Sequence, residues 1–86
     1  MPKFERLRPN KKPPWDSVLV TVWQSAGRTV ADAAAPDLVA EQPCPVPVML
    51  KKAEEIRRTV GLARVMVVLD EDSLWRPEWG ELVDCA

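Results

Sequence analysis

Apolar residues recur at helical intervals in one clear stretch of the chain. From Pro47, which stands where a first-turn proline is favoured, apolar side chains return every three or four positions, at Met49, Leu50, Ala53, Ile56 and Val60. Gly61 then supplies a stop signal. The spacing predicts a helix over residues 47–60, with lysine, arginine and glutamate side chains on its outer face.

Three other stretches are typical of strands. Residues 64–69 are too short for a buried helix and rich in β-branched side chains, which favours a buried central strand. Residues 17–23 are also rich in valine and threonine, although their apolar positions fit one helical stripe as well, so strand and helix both stay open. A short edge strand is expected at 81–84.

The remaining segments are read from their turn and breaker residues. Residues 25–27 form a turn, and the alanine-rich stretch 29–40 is expected to hold a short helix broken at Pro36. Residues 1–14 combine basic side chains with four prolines and are expected to be an extended or disordered arm. The fold class is therefore α+β, with one helix packed on a short sheet of two or three strands. Residues 15–86 form a single small domain.

Composition restricts the class of protein more than its activity. The chain has 86 residues, of which 47% are hydrophobic, and its longest apolar stretch is far too short to span a bilayer. The first residues carry charge and proline where a secretory signal would carry an apolar run, so a cytoplasmic location without membrane contact is expected. In that setting Cys44 and Cys85 are expected to be free thiols.

The sequence contains few groups of residues that are typical of catalytic or metal-binding sites. The chain has no histidine, and its three glycines are too scattered to build a phosphate-binding loop. Residues 67–74 place Asp70 and Asp72 after an apolar strand and resemble the DxD signature of haloacid-dehalogenase phosphatases, which implies a nucleophile at Asp70 and a magnesium ion. Ser73 departs from that pattern, and the chain ends 14 residues after Asp72. We expect no enzymatic activity, no cofactor and no metal site.

The acidic C-terminal segment carries the predicted partner site. Residues 70–86 hold six acidic side chains and one basic one, together with two tryptophans beside proline and arginine, a composition typical of interface anchors. We expect docking on a larger protein, such as one with a basic surface, through Asp70, Glu71, Asp72, Trp75, Arg76, Trp79 and Glu81. In the alternative interpretation, Trp75 and Trp79 simply fill the core of a small domain. The chain would then act as an adaptor, accessory subunit or inhibitor.

The basic N-terminal segment supports a second hypothesis, nucleic-acid binding. Residues 1–14 hold five basic side chains against one acidic one, and lysine and arginine release counterions from phosphate. The candidate residues are Lys3, Arg6, Arg8, Lys11 and Lys12, with Arg57, Arg58 and Arg64 extending the surface.

An exposed strand edge or tryptophan patch would also allow a homodimer. Alternatively, the oppositely charged ends attract each other within the fold.

Overall fold

The computed structural model describes residues 3–8, 11 and 12, 15–35 and 42–84. These residues contain one α-helix, six strands and two short 3-10 turns. The strands are β1 (Lys3–Arg6), β2 (Ser17–Ser25), β3 (Arg28–Ala34), β4 (Cys44–Pro45), β5 (Arg64–Leu69) and β6 (Glu81–Asp84). The helix α1 covers Val46–Val60, and the 3-10 turns cover Asp72–Leu74 and Pro77–Trp79. No helix in this part of the chain is long and apolar enough to cross a membrane.

All six strands belong to one mixed sheet, in the order β4-β3-β2-β5-β1-β6. The strands β2, β5, β1 and β6 run parallel to one another, whereas β3 is antiparallel to both β2 and β4. The parallel pairing of β2 with β5 is the crossover arrangement that a helix between two strands favours. The N-terminal ends of the four parallel strands therefore meet at one end of the sheet.

The core lies between α1 and one face of the sheet. Alternate residues of β2 and β5 stand side by side on this face in matched pairs: Val18 with Val65, Val20 with Val67, and Val22 with Leu69. From β3, Ala31 and Ala33 complete the face, and both are buried under the helix. On the side of α1 that faces the sheet, Met49 and Ala53 are fully buried. Small alanines beneath a helix leave room for close packing, which explains their use in a strand.

The helix ends are formed by the residues that the sequence pattern singled out. Pro47 lies in the first turn, where its missing N–H would have no intrahelical partner. At the other end, Gly61 adopts a left-handed conformation, and the N–H groups of Gly61 and Leu62 both donate to the carbonyl oxygen of Arg57 at 2.9 Å. The prediction of a helix over 47–60 is confirmed within one residue.

The predicted sheet is wrong in its extent, because the structure has six strands instead of two or three. The strands expected over 17–23, 64–69 and 81–84 are all present, and the helical alternative for 17–23 is wrong. The strands that the sequence analysis did not predict are β1, β3 and β4. Residues 29–34 form β3 where a short helix was expected, because pairing with β2 overrides the helix propensity of alanine. Residues 36–40 of that expected helix lie outside the described residues.

The basic N-terminal segment also contributes to the sheet. Its backbone is extended over Lys3–Arg6, and this stretch forms β1, which lies between β5 and β6. These four residues are therefore part of the sheet and do not form a separate arm. Four residues between prolines give almost no local strand signal, and β1 exists only because distant strands flank it.

The hairpin between β2 and β3 turns through two residues. Ser25 pairs with Arg28, so Ala26 and Gly27 form the loop, and their φ angles are 51° and 77°. Positive φ at both central residues identifies a type I′ turn, which favours asparagine followed by glycine. Alanine in the left-handed region is strained because its Cβ crowds the neighbouring carbonyl oxygen.

Replacing Ala26 by asparagine should stabilise the protein by about 0.5 to 1 kcal/mol, because asparagine tolerates this conformation better than alanine. Urea unfolding followed by circular dichroism measures the difference. Gly27→Ala is the matched control and should destabilise by about 1 kcal/mol, since it introduces the same strain at φ 77°. An unchanged or lower stability of Ala26→Asn would contradict the assigned turn.

Candidate functional site

Residues 70–80, here called the crossover segment, connect β5 to β6 across the helix-side face of β1. The path is marked by contacts at both ends of β1: Arg6 binds the carboxylate of Asp72, and the Lys3 ammonium lies 4.0 Å from the Glu81 carboxylate. Between them, Trp75 packs on Phe4, which faces the core. The crossover segment therefore returns the chain from the C-terminal to the N-terminal end of the parallel strands.

The tryptophans of the crossover segment form a layer beside α1. Phe4 and Trp75 meet edge to face with ring centroids 5.9 Å apart, and Trp75 meets Trp79 in the same manner at 5.3 Å. The indole N–H of Trp75 donates to the carbonyl oxygen of Gly80 at 3.2 Å. Such perpendicular pairs contribute about 0.5 to 1.5 kcal/mol beyond the burial of their area. Trp75 is thus mainly a packing residue, as the core interpretation predicts.

The charged ends of the chain meet in this structure. The Arg6 guanidinium donates to Asp72, and it lowers the pKa of the Asp72 carboxyl below its ordinary value, with a smaller contribution from the charge of Arg8. Arg6 itself is largely buried, with 14% of its side chain exposed. Within the crossover segment, Arg76 lies 3.7 Å from Glu78. Several of the predicted steering charges are therefore engaged within the molecule.

The predicted partner residues are all placed on the crossover segment and β6, but they do not form one patch. Asp70, Glu71 and Asp72 are exposed at the C-terminal end of the parallel strands. Trp79 and Glu81 lie at the opposite end, beside Lys3. Asp70 and Glu71 have no ion pair with any described residue.

A groove of about 520 Å³ opens between α1 and the Pro77–Trp79 turn. We call it the Trp79 groove. Its apolar surface comes from Phe4, Pro47, Leu50 and Trp79, and its rim carries Lys3, Lys51, Glu54, Arg58 and Glu78. Trp79 is partly buried, so one part of its ring packs on Trp75 while another part faces the groove. Of the seven predicted partner residues, Trp79 alone lines this groove.

Most charges at the rim of the Trp79 groove already have partners. The single N–H of Arg57 Nε is shared between the two Glu54 carboxylate oxygens, at 3.0 and 3.1 Å, and Arg57 Nη2 donates to Glu54 Oε1 at 2.5 Å. The same carboxylate lies 3.4 Å from Arg58 Nε. The hydrogen bonds from Arg57 lower the pKa of Glu54, with both arginine charges adding to the effect. Lys51 is exposed and forms no ion pair with the residues that the structure describes. Its ammonium is the rim charge most available to an incoming group.

The basic residues proposed for nucleic-acid binding are divided by the fold. Lys3 and Arg6 lie in β1 and are paired with Glu81 and Asp72. Arg8, Lys11 and Lys12 are exposed. Of the residues that were to extend this surface, Arg57 binds Glu54, and Arg64 lies within 3.7 Å of both Glu5 and Asp16. The structure therefore does not gather these residues into one basic surface.

Trp15 was absent from the predicted site and is the most exposed large apolar side chain described, at 83%. It lies in the turn two residues before β2, three residues after Lys12. Tryptophan is usually well buried, so this exposure is unusual. Leu19 and Trp23 follow Trp15 at strand spacing, so no local pattern in the sequence marks Trp15 as exposed.

Nothing in the described residues groups three or more histidine, cysteine, aspartate or glutamate side chains at a spacing that would hold a metal ion. Cys44 is a free thiol, partly buried, with the Lys52 ammonium 4.0 Å from its sulfur. Cys85 lies outside the described residues. The pair Asp70 and Asp72 is exposed, and Arg6 occupies an oxygen of Asp72.

Comparison with known proteins gives no relative from which a function could be inferred. No protein-family model matches the chain, and neither the curated proteins nor the solved structures contain a significant match to it.

Removing the Trp75 side chain should destabilise the fold, because Trp75 joins Phe4 to Trp79 over β1. We expect Trp75→Ala to lower the free energy of unfolding by about 3 kcal/mol, a typical cost for truncating a packed aromatic residue. Trp15→Ala is the matched control and should change it by less than about 0.5 kcal/mol. Urea unfolding checks both values. Equal effects of the two substitutions would contradict the packing role of Trp75.

The pair of Arg6 with Asp72 should make stability depend on acid pH. Because folding lowers the pKa of Asp72 from its ordinary value of 3.8, its contribution is complete above that value and is lost as the pH falls through the lower folded-state pKa. Asp72→Asn should therefore be less stable than the parent near neutral pH, and the two should converge in strong acid.

Asp70→Asn, at an exposed position with no described ion pair, is the control for charge alone. Urea unfolding at a series of pH values tests the pair. Parallel pH profiles for Asp72→Asn and the parent protein would rule out its contribution.

Proposed function

We propose that this chain is a small non-enzymatic protein-interaction module, an adaptor, accessory subunit or inhibitor, that docks on a larger protein. The observation that carries the proposal is the Trp79 groove, which combines an aromatic wall with an apolar floor and a charged rim. Aromatic side chains at partly exposed positions are common anchors in interfaces because they bury a large area with little loss of side-chain entropy.

The proposed docking mode places an apolar side chain of the partner between Trp79 and Leu50. Leu50 is 5% exposed and belongs to the core, so it supplies a rigid floor, while Trp79 is held in place by its edge-to-face contact with Trp75. A carboxylate of the partner would lie near Lys51, whose charge no described residue neutralises. The apolar contact supplies affinity, and the charge sets orientation and association rate.

The non-enzymatic part of this proposal is supported by the state of the two aspartates in the DxD sequence. A magnesium ion requires several free oxygen ligands, and Arg6 already occupies an oxygen of Asp72. We also propose a cytoplasmic location, which is supported by the free thiol of Cys44 in the described part of the chain.

A second candidate function is nucleic-acid binding, and it is favoured by the exposure of Trp15 near Lys11 and Lys12. An exposed aromatic ring can stack on an unpaired base, and nearby lysines can contact phosphate. Of the predicted basic surface, Lys3 and Arg6 are paired within the fold. We therefore rank this function below docking on a protein.

The proposed docking site is tested with two neighbouring lysines of α1. Lys51 lines the Trp79 groove, whereas Lys52, also exposed, does not. Tagged parent protein, Lys51→Glu and Lys52→Glu are used for affinity capture from a lysate of the source cells after nuclease treatment. A protein that the parent and Lys52→Glu retain in stoichiometric amount should be reduced about tenfold with Lys51→Glu, a change of about 1.4 kcal/mol.

Circular dichroism of both variants checks that the fold is intact. A partner retained equally by the two variants would place the interface away from the Trp79 groove. Partners that disappear on nuclease treatment and depend steeply on salt would instead support the second candidate function.

A further inference from the structure

The face of the sheet that points away from α1 is lined mostly by apolar side chains. Residues of a strand alternate between the two faces of its sheet. The second face of β2 and β3 therefore carries three cross-strand pairs: Leu19 with Ala34, Thr21 with Asp32, and Trp23 with Val30. None of these six residues belongs to the core beneath α1. Trp23 and Val30 are half-buried, so both still present part of their apolar surface.

The described residues cover this second face only in part. Met66 of β5 is fully buried without belonging to the core beneath α1, so the second face is covered around Met66. Farther along, the face carries a group that we call the Trp23 patch: Trp23, Arg28, Val30 and Asp32. Both α1 and the tryptophans of the crossover segment lie on the opposite side of the sheet. Because sheets with parallel strands usually have a layer of structure on both faces, we expect a second layer on the patch.

Two opposite charges flank the apolar centre of the Trp23 patch. Arg28 and Asp32 lie on β3 two residues before and two residues after Val30, so each is about 7 Å from Val30 along the strand. Arg28 is exposed, Asp32 is half-buried, and neither forms an ion pair with a residue that the structure describes. Covering the patch removes water from both charges, so a stable cover has to supply an anion for Arg28 and a cation for Asp32.

We infer that the Trp23 patch packs on the same patch of a second copy of this chain, so that the protein forms a twofold dimer. The twofold axis lies midway between the two sheets, parallel to both, and crosses β3 at right angles above Val30. This rotation sets Arg28 of each copy opposite Asp32 of the other, and Val30 opposite Val30. Sheets packed face to face lie about 10 Å apart, which an arginine and an aspartate side chain can bridge. The patch therefore supplies both charges that its cover needs.

The same axis places the two Trp23 rings at the centre of the interface, because Trp23 pairs with Val30 on the neighbouring strand. Large aromatic residues at the centre of an interface commonly dominate its binding energy. A twofold axis parallel to the strands above β3 would instead set Arg28 opposite Arg28 and Asp32 opposite Asp32, which like-charge repulsion opposes. Asp70 is exposed beyond the end of β5, at the rim of the patch, where water and salt screen its charge.

This dimer leaves the Trp79 groove free. The groove lies between α1 and the Pro77–Trp79 turn, on the side of the sheet opposite the Trp23 patch. Each copy in the dimer would therefore present its own groove on the outside. The inference rests on the second face of the sheet and does not depend on the use of the groove.

The experiment reverses the two charges separately and then combines the variants of the full-length protein. Arg28→Asp sets an aspartate opposite Asp32, and Asp32→Arg sets an arginine opposite Arg28. Each variant alone should therefore raise the dissociation constant of the dimer at least about tenfold. An equimolar mixture of the two variants should restore the dimer, because both charge contacts in the mixed pair join an arginine to an aspartate. Sedimentation velocity over a concentration series measures all three samples and the parent.

Lys51→Glu is the matched control, because it reverses a charge on α1, on the other side of the sheet. It should leave the dissociation constant within about twofold of the parent value. Circular dichroism checks the fold of every variant. A second measurement needs no substitution: dilution of the parent protein labelled with nitrogen-15 should shift the amide signals of residues 21–23 and 28–32, and those of α1 should stay in place.

Three results would overturn the inference. The parent protein would stay monomeric up to the limit of its solubility, or the mixture of two folded variants would remain as dissociated as its components. In the third result, the amide signals that move on dilution would belong to α1 or β6, which would place any self-association on another surface.

Discussion

The rest of the structure depends on a mismatch in size between one helix and a six-stranded sheet. Helix α1 has 15 residues and is therefore about 22 Å long and about 10 Å wide, whereas six strands spaced about 4.8 Å apart span roughly 24 Å. The helix packs on β2, β3 and β5 and leaves the helix-side face of β1 and β6 to other residues. The crossover segment covers that face with Trp75, which packs on Phe4 of β1, and with Trp79 beside it. Aromatic rings thus take the place of a second helix.

This arrangement gives the C-terminal segment two roles. The Trp75 ring packs on Phe4 and on Trp79, and its indole N–H donates to the carbonyl oxygen of Gly80. These contacts of Trp75 are all made within the fold. Trp79 lies at the border of the same layer, and its other side forms a wall of the Trp79 groove. The groove exists because the crossover segment and α1 lie side by side without a further element between them. Its rigidity follows from the packing that the sheet requires.

The charged stretches of the chain also pair with each other within the fold, which leaves fewer charges for a partner. The basic N-terminal and acidic C-terminal stretches are brought together by the parallel pairing of β1 with β6, and two of the resulting contacts join Lys3 to Glu81 and Arg6 to Asp72. The exposed pair of Lys3 with Glu81 contributes little to stability, but both pairs reduce the charge left to attract a partner. Asp70, Glu71 and Lys51 remain without described ion pairs. Charge along the sequence was therefore a poor guide to charge on the surface.

The candidate site could be predicted only in part. Trp79, which was predicted as a partner residue because its neighbours have a composition typical of interface anchors, lines the Trp79 groove. The grouping of Trp79 with Asp70 and Asp72 was not upheld by the geometry, since the crossover segment separates them by the length of β1. Trp15 is in phase with the apolar residues Leu19 and Trp23, so its exposure of 83% could not be read from the sequence and appears only in the folded chain. The Trp23 patch likewise depends on the pairing of β2 with β3, which no local pattern encodes.

The sequence by itself determined the elements whose signals are local. The helix over 47–60, the strand over 64–69 and the turn at residues 25–27 follow from periodicity, β-branched content and glycine, because these act between residues close in the chain. For residues 17–23 the same signals allowed both a strand and a helix. Only the tertiary structure decided that Lys3–Arg6 is a strand, that the alanines of β3 lie in the sheet, and that Trp75 is packed while Trp15 is exposed. The physical reason is that each of these depends on partners distant in sequence, whose pairing and burial outweigh local propensity.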